Sequence, residues 1–121
     1  MPEPKKKRIL IADDDLAILD VLTLFLEECG YEVESTADGT CVPALARTFP
    51  DLLLLDIWMS GSNGCELCAQ FKRQPNTAHL PVILISANKD TEHLAREAGA
   101  DDFIAKPFDL DVVLSKIEHA L

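Results

Sequence analysis

The chain has 121 residues, 48% of them apolar and 26% charged, with a formal net charge of −10. That length builds one core, and so high an apolar share is incompatible with a disordered segment. The acidic balance repels a phosphate backbone, and no apolar stretch reaches the roughly 20 residues of a membrane span, so direct nucleic-acid binding and membrane insertion are both disfavoured.

Met1-Pro2-Glu3-Pro4 lacks the apolar segment of a secretory signal, and a cytoplasmic location is expected. The run Lys5-Lys6-Lys7-Arg8 reads as the end of a flexible basic arm, residues 1–7, that flanks the first strand and keeps its edge soluble. Residues 8–12 read as a strand that stops at Asp13-Asp14-Asp15. Leu16, Leu19, Val21, Leu22, Phe25 and Leu26 follow at helical spacing as far as Cys29, and Gly30 stops the helix. Residues 32–37 alternate around Val33 and predict a weaker strand near an edge. Asp38 or Thr40 then caps a helix running to about Thr48, with Pro43 in its first turn, where no backbone donor is missed.

Leu52-Leu53-Leu54-Leu55 predicts a strand buried on both faces, and it ends in the carboxylate of Asp56. Ser60-Gly61-Ser62-Asn63-Gly64 is a loop by composition. A helix over 65–74 turns Leu67, Cys68 and Phe71 inward, and residues 81–86 form another apolar strand. A helix from about Thr91 stops at Gly99, residues 102–106 form the last strand, and Asp109 caps a final helix reaching Leu121.

Cys29, Cys41, Cys65 and Cys68 make no disulfide framework in a chain without a secretory signal. Cys65 and Cys68 lack a second pair, and His79, His93 and His119 are scattered, so the C-x-x-C reads as two small apolar residues on one helix face.

Five strand–helix pairs in strict alternation imply an α/β doubly wound parallel sheet with helices on both faces. Such sheets bind ligands at the carboxyl ends of their strands, and Asp13, Asp14, Asp56, Ser86 and Lys106 all fall there. Each has a bland reading: a helix cap for Asp13, Asp14 and Ser86, a turn position for Asp56, a surface position for Lys106. One aspartate suffices for a cap, however, and all five positions share one edge. Two carboxylates ~4 Å apart repel by about 4 kcal/mol at an effective dielectric near 20, so a proton or a divalent cation must join them. Oxygen ligands without histidine or cysteine select Mg²⁺, Mn²⁺ or Ca²⁺. A metal, a lysine and a hydroxyl together suit a phosphoryl group, and a carboxylate among them can attack phosphorus to form an acyl phosphate.

From residue 8 to about 121 the chain resembles the receiver domain of two-component response regulators. Asp13 and Asp14 match the acidic pair, Asp56 the phosphoacceptor, Ser86 the Ser/Thr position and Lys106-Pro107 the Lys-Pro pair; residues 99–108 follow the family's pattern closely. The resemblance implies a flavodoxin-like (βα)5 fold of strand order 2-1-3-4-5, with residues 1–121 forming a single receiver domain. It also implies phosphoryl transfer from the phosphohistidine of a sensor histidine kinase or histidine phosphotransfer protein onto Asp56, in a two-component system or phosphorelay. Mg²⁺ is then held by Asp14, Asp56 and the backbone carbonyl of Trp58, with Asp13 acting partly through water. Ser86 moves toward the phosphoryl group, Phe103 packs inward, and the surface of the fourth helix, fifth strand and fifth helix changes for a downstream protein or output domain. The same resemblance implies a cis Lys106–Pro107 bond, a monomer or weak dimer, and a signalling switch that promotes its own phosphorylation and dephosphorylation rather than a turnover enzyme.

Three departures stand out. Met59-Ser60-Gly61-Ser62-Asn63-Gly64 replaces the family's Met-Pro-Gly-x-Asp-Gly, which predicts a looser loop in which Asn63 still accepts a turn or cap bond. Phe103 stands where a tyrosine is common, and Trp58 and Asn88 occupy positions that in the family influence acyl phosphate lifetime. Competing readings remain. A phosphatase of the haloacid-dehalogenase type accounts for the Asp-x-Asp in Asp13-Asp14-Asp15 but leaves Asp56 without a role. A flavodoxin relative requires a phosphate loop that three aspartates repel. A docking module that is never phosphorylated retains the fold alone.

Overall fold

Strands β1 (Arg8–Ala12), β3 (Leu52–Asp56) and β6 (Val82–Ser86) are apolar at nearly every position, because a parallel strand covered by helices on both sides has no wet face. The structure, a computed structural model, describes residues 6–48, 50–59 and 61–121. With β2 (Glu32–Thr36) and β7 (Asp102–Ala105) these strands form one parallel sheet in the order β2-β1-β3-β6-β7. Two-residue strands β4 (Trp58–Met59) and β5 (Ser62–Asn63) pair antiparallel in a separate ladder, so the five principal strands run 2-1-3-4-5.

The pleat sorts the core into two layers. Leu10, Leu53, Leu55, Val82 and Leu84 pack with Val42 of α2 (Val42–Leu45), Leu67, Cys68 and Phe71 of α3 (Gly64–Arg73), and Ala95 of α4 (Glu92–Glu97). On the other face Ile9, Ile11, Leu52, Leu54, Ile83, Ile85 and Ile104 meet Leu19, Leu22 and Leu26 of α1 (Leu16–Glu28) and Val113 and Ile117 of α5 (Leu110–Ala120). Each fully buried leucine or isoleucine contributes about 1.5–3 kcal/mol, so the central strands are held from both sides. Their carboxyl ends are thereby held in place.

Several expectations are corrected. The helix expected from residue 38 or 40 to 48 is broken into a 3₁₀ turn over Gly39–Cys41, the single turn α2, and a second 3₁₀ turn over Ala46–Thr48. Asp38 caps the first turn by accepting from the Thr40 N–H, and the Thr48 hydroxyl donates to the Leu45 carbonyl, which would otherwise serve a longer helix. Likewise, the helix expected from Thr91 starts as a 3₁₀ turn over Lys89–Thr91. Asp109 stands at the N-cap of α5 but makes no side-chain cap; only its carbonyl accepts, from the Val112 and Val113 N–H groups.

Arg8 belongs to the first strand as expected, but no sheet edge lies beside it for a basic run to protect. It opens an interior strand, and its guanidinium donates to the Thr48 carbonyl at 2.9 Å and to Glu34 at 3.1 Å. Lys6 and Lys7 are exposed, and residues 1–5 of the expected arm lie outside the described residues. The cysteines are all free, as expected of the thiols, and Cys68 is fully buried, which pushes its thiol up to about 11 and removes it from redox chemistry.

Candidate functional site

Strand parity aims the charges. Ile9 and Ile11 face the α1/α5 layer, and continuing that alternation puts Asp13 on the same side; Leu52 and Leu54 do so for Asp56, and Ile104 for Lys106. Ala12 is in register with Leu55, so Asp13 and Asp56 are neighbours across two strand ends. Asp13 is completely buried and Asp56 nearly so, while Asp14 is exposed. One oxygen from each of Asp13, Asp14 and Asp56 lies within 4.8 Å of the others.

Lys106 Nζ sits 2.9 Å from Asp13 Oδ2 and 3.4 Å from Asp56 Oδ2. The Lys106 N–H donates to the Ser86 carbonyl, continuing the β6–β7 ladder past Ala105, and the Lys106–Pro107 peptide is cis. Burial works against the ammonium charge, but Asp13 and then Asp56 outweigh it and leave the lysine's pKa raised. At Asp56, burial comes first and the Asp13 charge second; Lys106 opposes both, and the carboxyl is pushed from the usual 3.8 up to about 6.

The three aspartates after β1 divide their labour. Asp15 caps α1, its Oδ1 accepting from the Ala17 and Ile18 N–H groups at 3.0 and 3.3 Å, so the bland cap reading holds for this one residue. The Asp15 N–H in turn donates to Asp13 Oδ1 at 2.9 Å. Asp13 Oδ2 is buried and has no well-aligned donor, and Lys106 Nζ, 2.9 Å away, is the counter-charge beside it. A buried carboxylate oxygen without an aligned hydrogen bond, two further carboxylates within reach and no histidine or cysteine among them fit a hard divalent cation, and Mg²⁺ in particular.

The other expected residues surround this centre. Ser86 ends β6 one step beyond the register partner of Asp56, fully buried, with its Oγ accepting from the Asn88 N–H at 3.1 Å. Trp58 follows Asp56 by two residues; its backbone pairs with Asn63, and its side chain is 54% exposed. Phe103 is not at the site. It pairs with Leu84 in the sheet and borders a cleft of about 260 Å³ together with Ala95, Arg96, Ala100 and Lys116.

Gly64 was missed as a functional position, although its place after Asn63 marks a helix start. A Cβ there would lie 2.4 Å from the Asp56 carbonyl oxygen, and the Gly64 N–H donates to the Ile57 carbonyl at 2.8 Å. Only glycine lets α3 begin so close to the end of β3. Asn63 caps α3, its Oδ1 accepting from the Cys65 and Glu66 N–H groups at 2.8 and 3.2 Å.

An acidic crevice with a lysine, at the carboxyl edge of a doubly wound sheet, defines a phosphoryl- and metal-handling class of site. Residues 9–118 match the family model described as the response regulator receiver domain, and the chain belongs to that family. It is a receiver domain of two-component signalling, a family of switches whose common function is to accept a phosphoryl group.

The chain is 37% identical over 117 residues to the DNA-binding dual master transcriptional regulator RpaA of Synechocystis, covering 94% of this chain but 48% of that protein. It superposes on the response regulator TrrA of Thermotoga maritima, solved in complex with Mg²⁺-BeF, with a TM-score of 0.85 at 30% identity, covering 95% and 99% of the two chains. The receiver domain of a Pseudomonas aeruginosa sensor histidine kinase, with magnesium coordinated in its active site cleft, is similar at a TM-score of 0.85 and 25% identity, over 95% and 97% of the chains.

Proposed function

We propose that Asp56 is the phosphoacceptor of this receiver, charged by the phosphohistidine of a histidine kinase or histidine phosphotransfer protein. The supporting observation is the convergence of Asp13, Asp14 and Asp56 on one another, with Lys106 Nζ at 2.9 and 3.4 Å from two of them. A carboxylate oxygen of Asp56 attacks phosphorus, the P–N bond of the donor breaks, and the imidazole leaves with that electron pair and takes a proton from solvent. Asp13, Asp14, Asp56 and the Trp58 carbonyl would hold Mg²⁺, which when bound would supply positive charge to the phosphoryl oxygens. Lys106 neutralises a further oxygen and keeps Asp56 ionised against its burial.

Ser86 exchanges its bond with the Asn88 N–H for one to the phosphoryl group, and Phe103 moves within the cleft that it borders. The phosphoryl contacts thus favour one of two packings and change the surface of α4, β7 and α5 for a downstream partner or output domain. The domain acts in the cytoplasm, where four free thiols persist, as a monomer or weak dimer, and it promotes its own phosphorylation and dephosphorylation without being a turnover enzyme.

The test is incubation with Mg²⁺ and acetyl phosphate, read by intact mass. The protein gains one phosphoryl group that hydroxylamine removes, and Asp56→Asn gains none. Labelling that survives Asp56→Asn but disappears in Asp13→Asn overturns the assignment in favour of an Asp-x-Asp phosphatase.

A further inference from the structure

The loop that carries Trp58 does not stand alone over the site. Its β4–β5 ladder lies on the turn that follows β2. A Cβ on Gly39 would fall 2.6 Å from Ser62 Cβ, 3.1 Å from Ser62 Oγ and 3.2 Å from Met59 Cε. Ser62 Cβ is fixed to the backbone of β5 and cannot swing aside. Gly39 is absent from the glycines with positive φ, so no backbone requirement explains it; its lack of a side chain serves the close approach. At the ladder's turn, Gly61 comes to 3.2 Å from Thr40 Cγ2 by the same measure.

The turn is tied by its own side chains. The Asp38 N–H donates to Thr36 Oγ1 at 3.1 Å, and Asp38 Oδ1 accepts from the Thr40 N–H and hydroxyl at 2.9 and 2.7 Å. Its other end reaches the opposite wall of the acidic crevice, for the Asp13 N–H donates to the Thr36 carbonyl at 3.2 Å. One short segment, Thr36 to Thr40, therefore touches both the residue bearing a buried carboxylate and the ladder bearing the Trp58 carbonyl.

We infer that this β2–α2 turn is a brace for the metal site, and that Gly39 is a positioning residue whose contact with Ser62 sets the height of the Trp58 carbonyl relative to Asp13 and Asp56. The inference rests on the proposed Mg²⁺ ligand set. Metal sites depend on such outer contacts: disturbing one typically costs about 10–100-fold in affinity. Gly39 and Ser62 meet as two halves of one gap, so their substitutions are not additive.

The experiment is a double-mutant cycle of Gly39→Ala and Ser62→Gly on the whole chain, with Mg²⁺ affinity read from the fluorescence of Trp58, the chain's single tryptophan, and by calorimetry. Gly39→Ala lifts the ladder and weakens Mg²⁺ binding by about tenfold. Ser62→Gly alone leaves a gap beneath the ladder and weakens it less. Gly39→Ala in the Ser62→Gly background fills that gap and strengthens binding, the opposite sign from its effect in the natural sequence. If Gly39→Ala alone does not fold, Ser62→Gly and the double variant, both free of the Ser62 clash and left only with the flexible end of Met59, carry the test by themselves. Equal Mg²⁺ affinity in all folded variants, or a weakening by Gly39→Ala in both backgrounds, overturns the brace. Absence of Mg²⁺ binding by the natural sequence, or binding unaffected by Asp56→Asn, overturns the ligand set instead.

Discussion

The two ends of the same sheet treat acidic residues in opposite ways. At the amino edge each of four acids faces a donor or a cation. Asp51 accepts from the Arg8 N–H at 2.8 Å, Glu32 lies 3.9 Å from the Arg8 guanidinium, Asp101 accepts from the Val82 N–H and Lys72 at 2.7 and 2.8 Å, and Asp102 pairs with Lys116 at 2.8 Å. At the carboxyl edge Asp13, Asp14 and Asp56 crowd together, and among the described residues Lys106 is the cation within ion-pair distance of them. Charge is balanced where it only holds strands together and left in deficit where a cation and a phosphoryl group are to be received. Burial and, after it, the crowding of Asp13 have a cost, visible in the Asp56 carboxyl held near 6.

That contrast predicts opposite signs for similar substitutions. The largest effect belongs to Lys106→Met, which leaves the wholly buried Asp13 without a counter-charge; stability at pH 7 without divalent cations falls by about 3 kcal/mol. Urea denaturation measures it, and added Mg²⁺ recovers part of the loss, because the metal then meets three carboxylates with no competing ammonium. An unchanged midpoint would mean that the carboxylates are already protonated and that the deficit is not real.

Next in size is Asp56→Asn, which raises stability in the absence of Mg²⁺ by up to about 3 kcal/mol, the free energy equivalent of a pKa moved from 3.8 to about 6. The sign follows from linkage. An acid whose pKa is raised on folding holds its proton more tightly in the folded state, so between pH 3.8 and about 6 the folded form carries more protons and stability falls as pH rises. Denaturation with EDTA across this range gives a descending contribution in the natural protein that is missing in Asp56→Asn. Saturating Mg²⁺ reverses the slope, because only the ionised carboxylate binds the metal.

The strands and their terminal charges were legible in the sequence because buried parallel strands are written as unbroken apolar runs, and a charge at the end of such a run has nowhere neutral to go. Asp13, Asp14, Asp56 and Lys106 were found that way, and parity alone puts Asp13, Asp56 and Lys106 on the α1/α5 side. The segment after β2 was not legible. Its composition of Asp38, Thr40 and Pro43 suits a helix start, but Thr48 takes the Leu45 carbonyl and the helix fails to extend. Nor was the approach of Gly39 to Ser62, since a contact between two loops leaves no period in either one. Phe103 lay between these cases: its identity came from a family pattern, and its position beside the α4 cleft rather than the acidic centre comes from strand register.

The smallest effect is the sharpest control. Asp101→Ala removes an acid from the amino edge, leaving the Val82 N–H without its partner, while Lys72 keeps the Leu80 carbonyl at 2.7 Å. The Lys72–Asp101 pair is partly exposed and contributes little, so the loss is mostly that of the bond from the Val82 N–H to the Asp101 carboxylate, about 1 kcal/mol. Stability therefore falls on removing Asp101 and rises on removing Asp56, though each deletes one negative charge from a chain that carries a net −10. If net charge governed stability, both substitutions would stabilise the protein and high salt would abolish both gains. If local pairing governs it, the Asp101 loss persists in salt and Mg²⁺ affinity is unchanged, because the two ends of the sheet share strands but not charges.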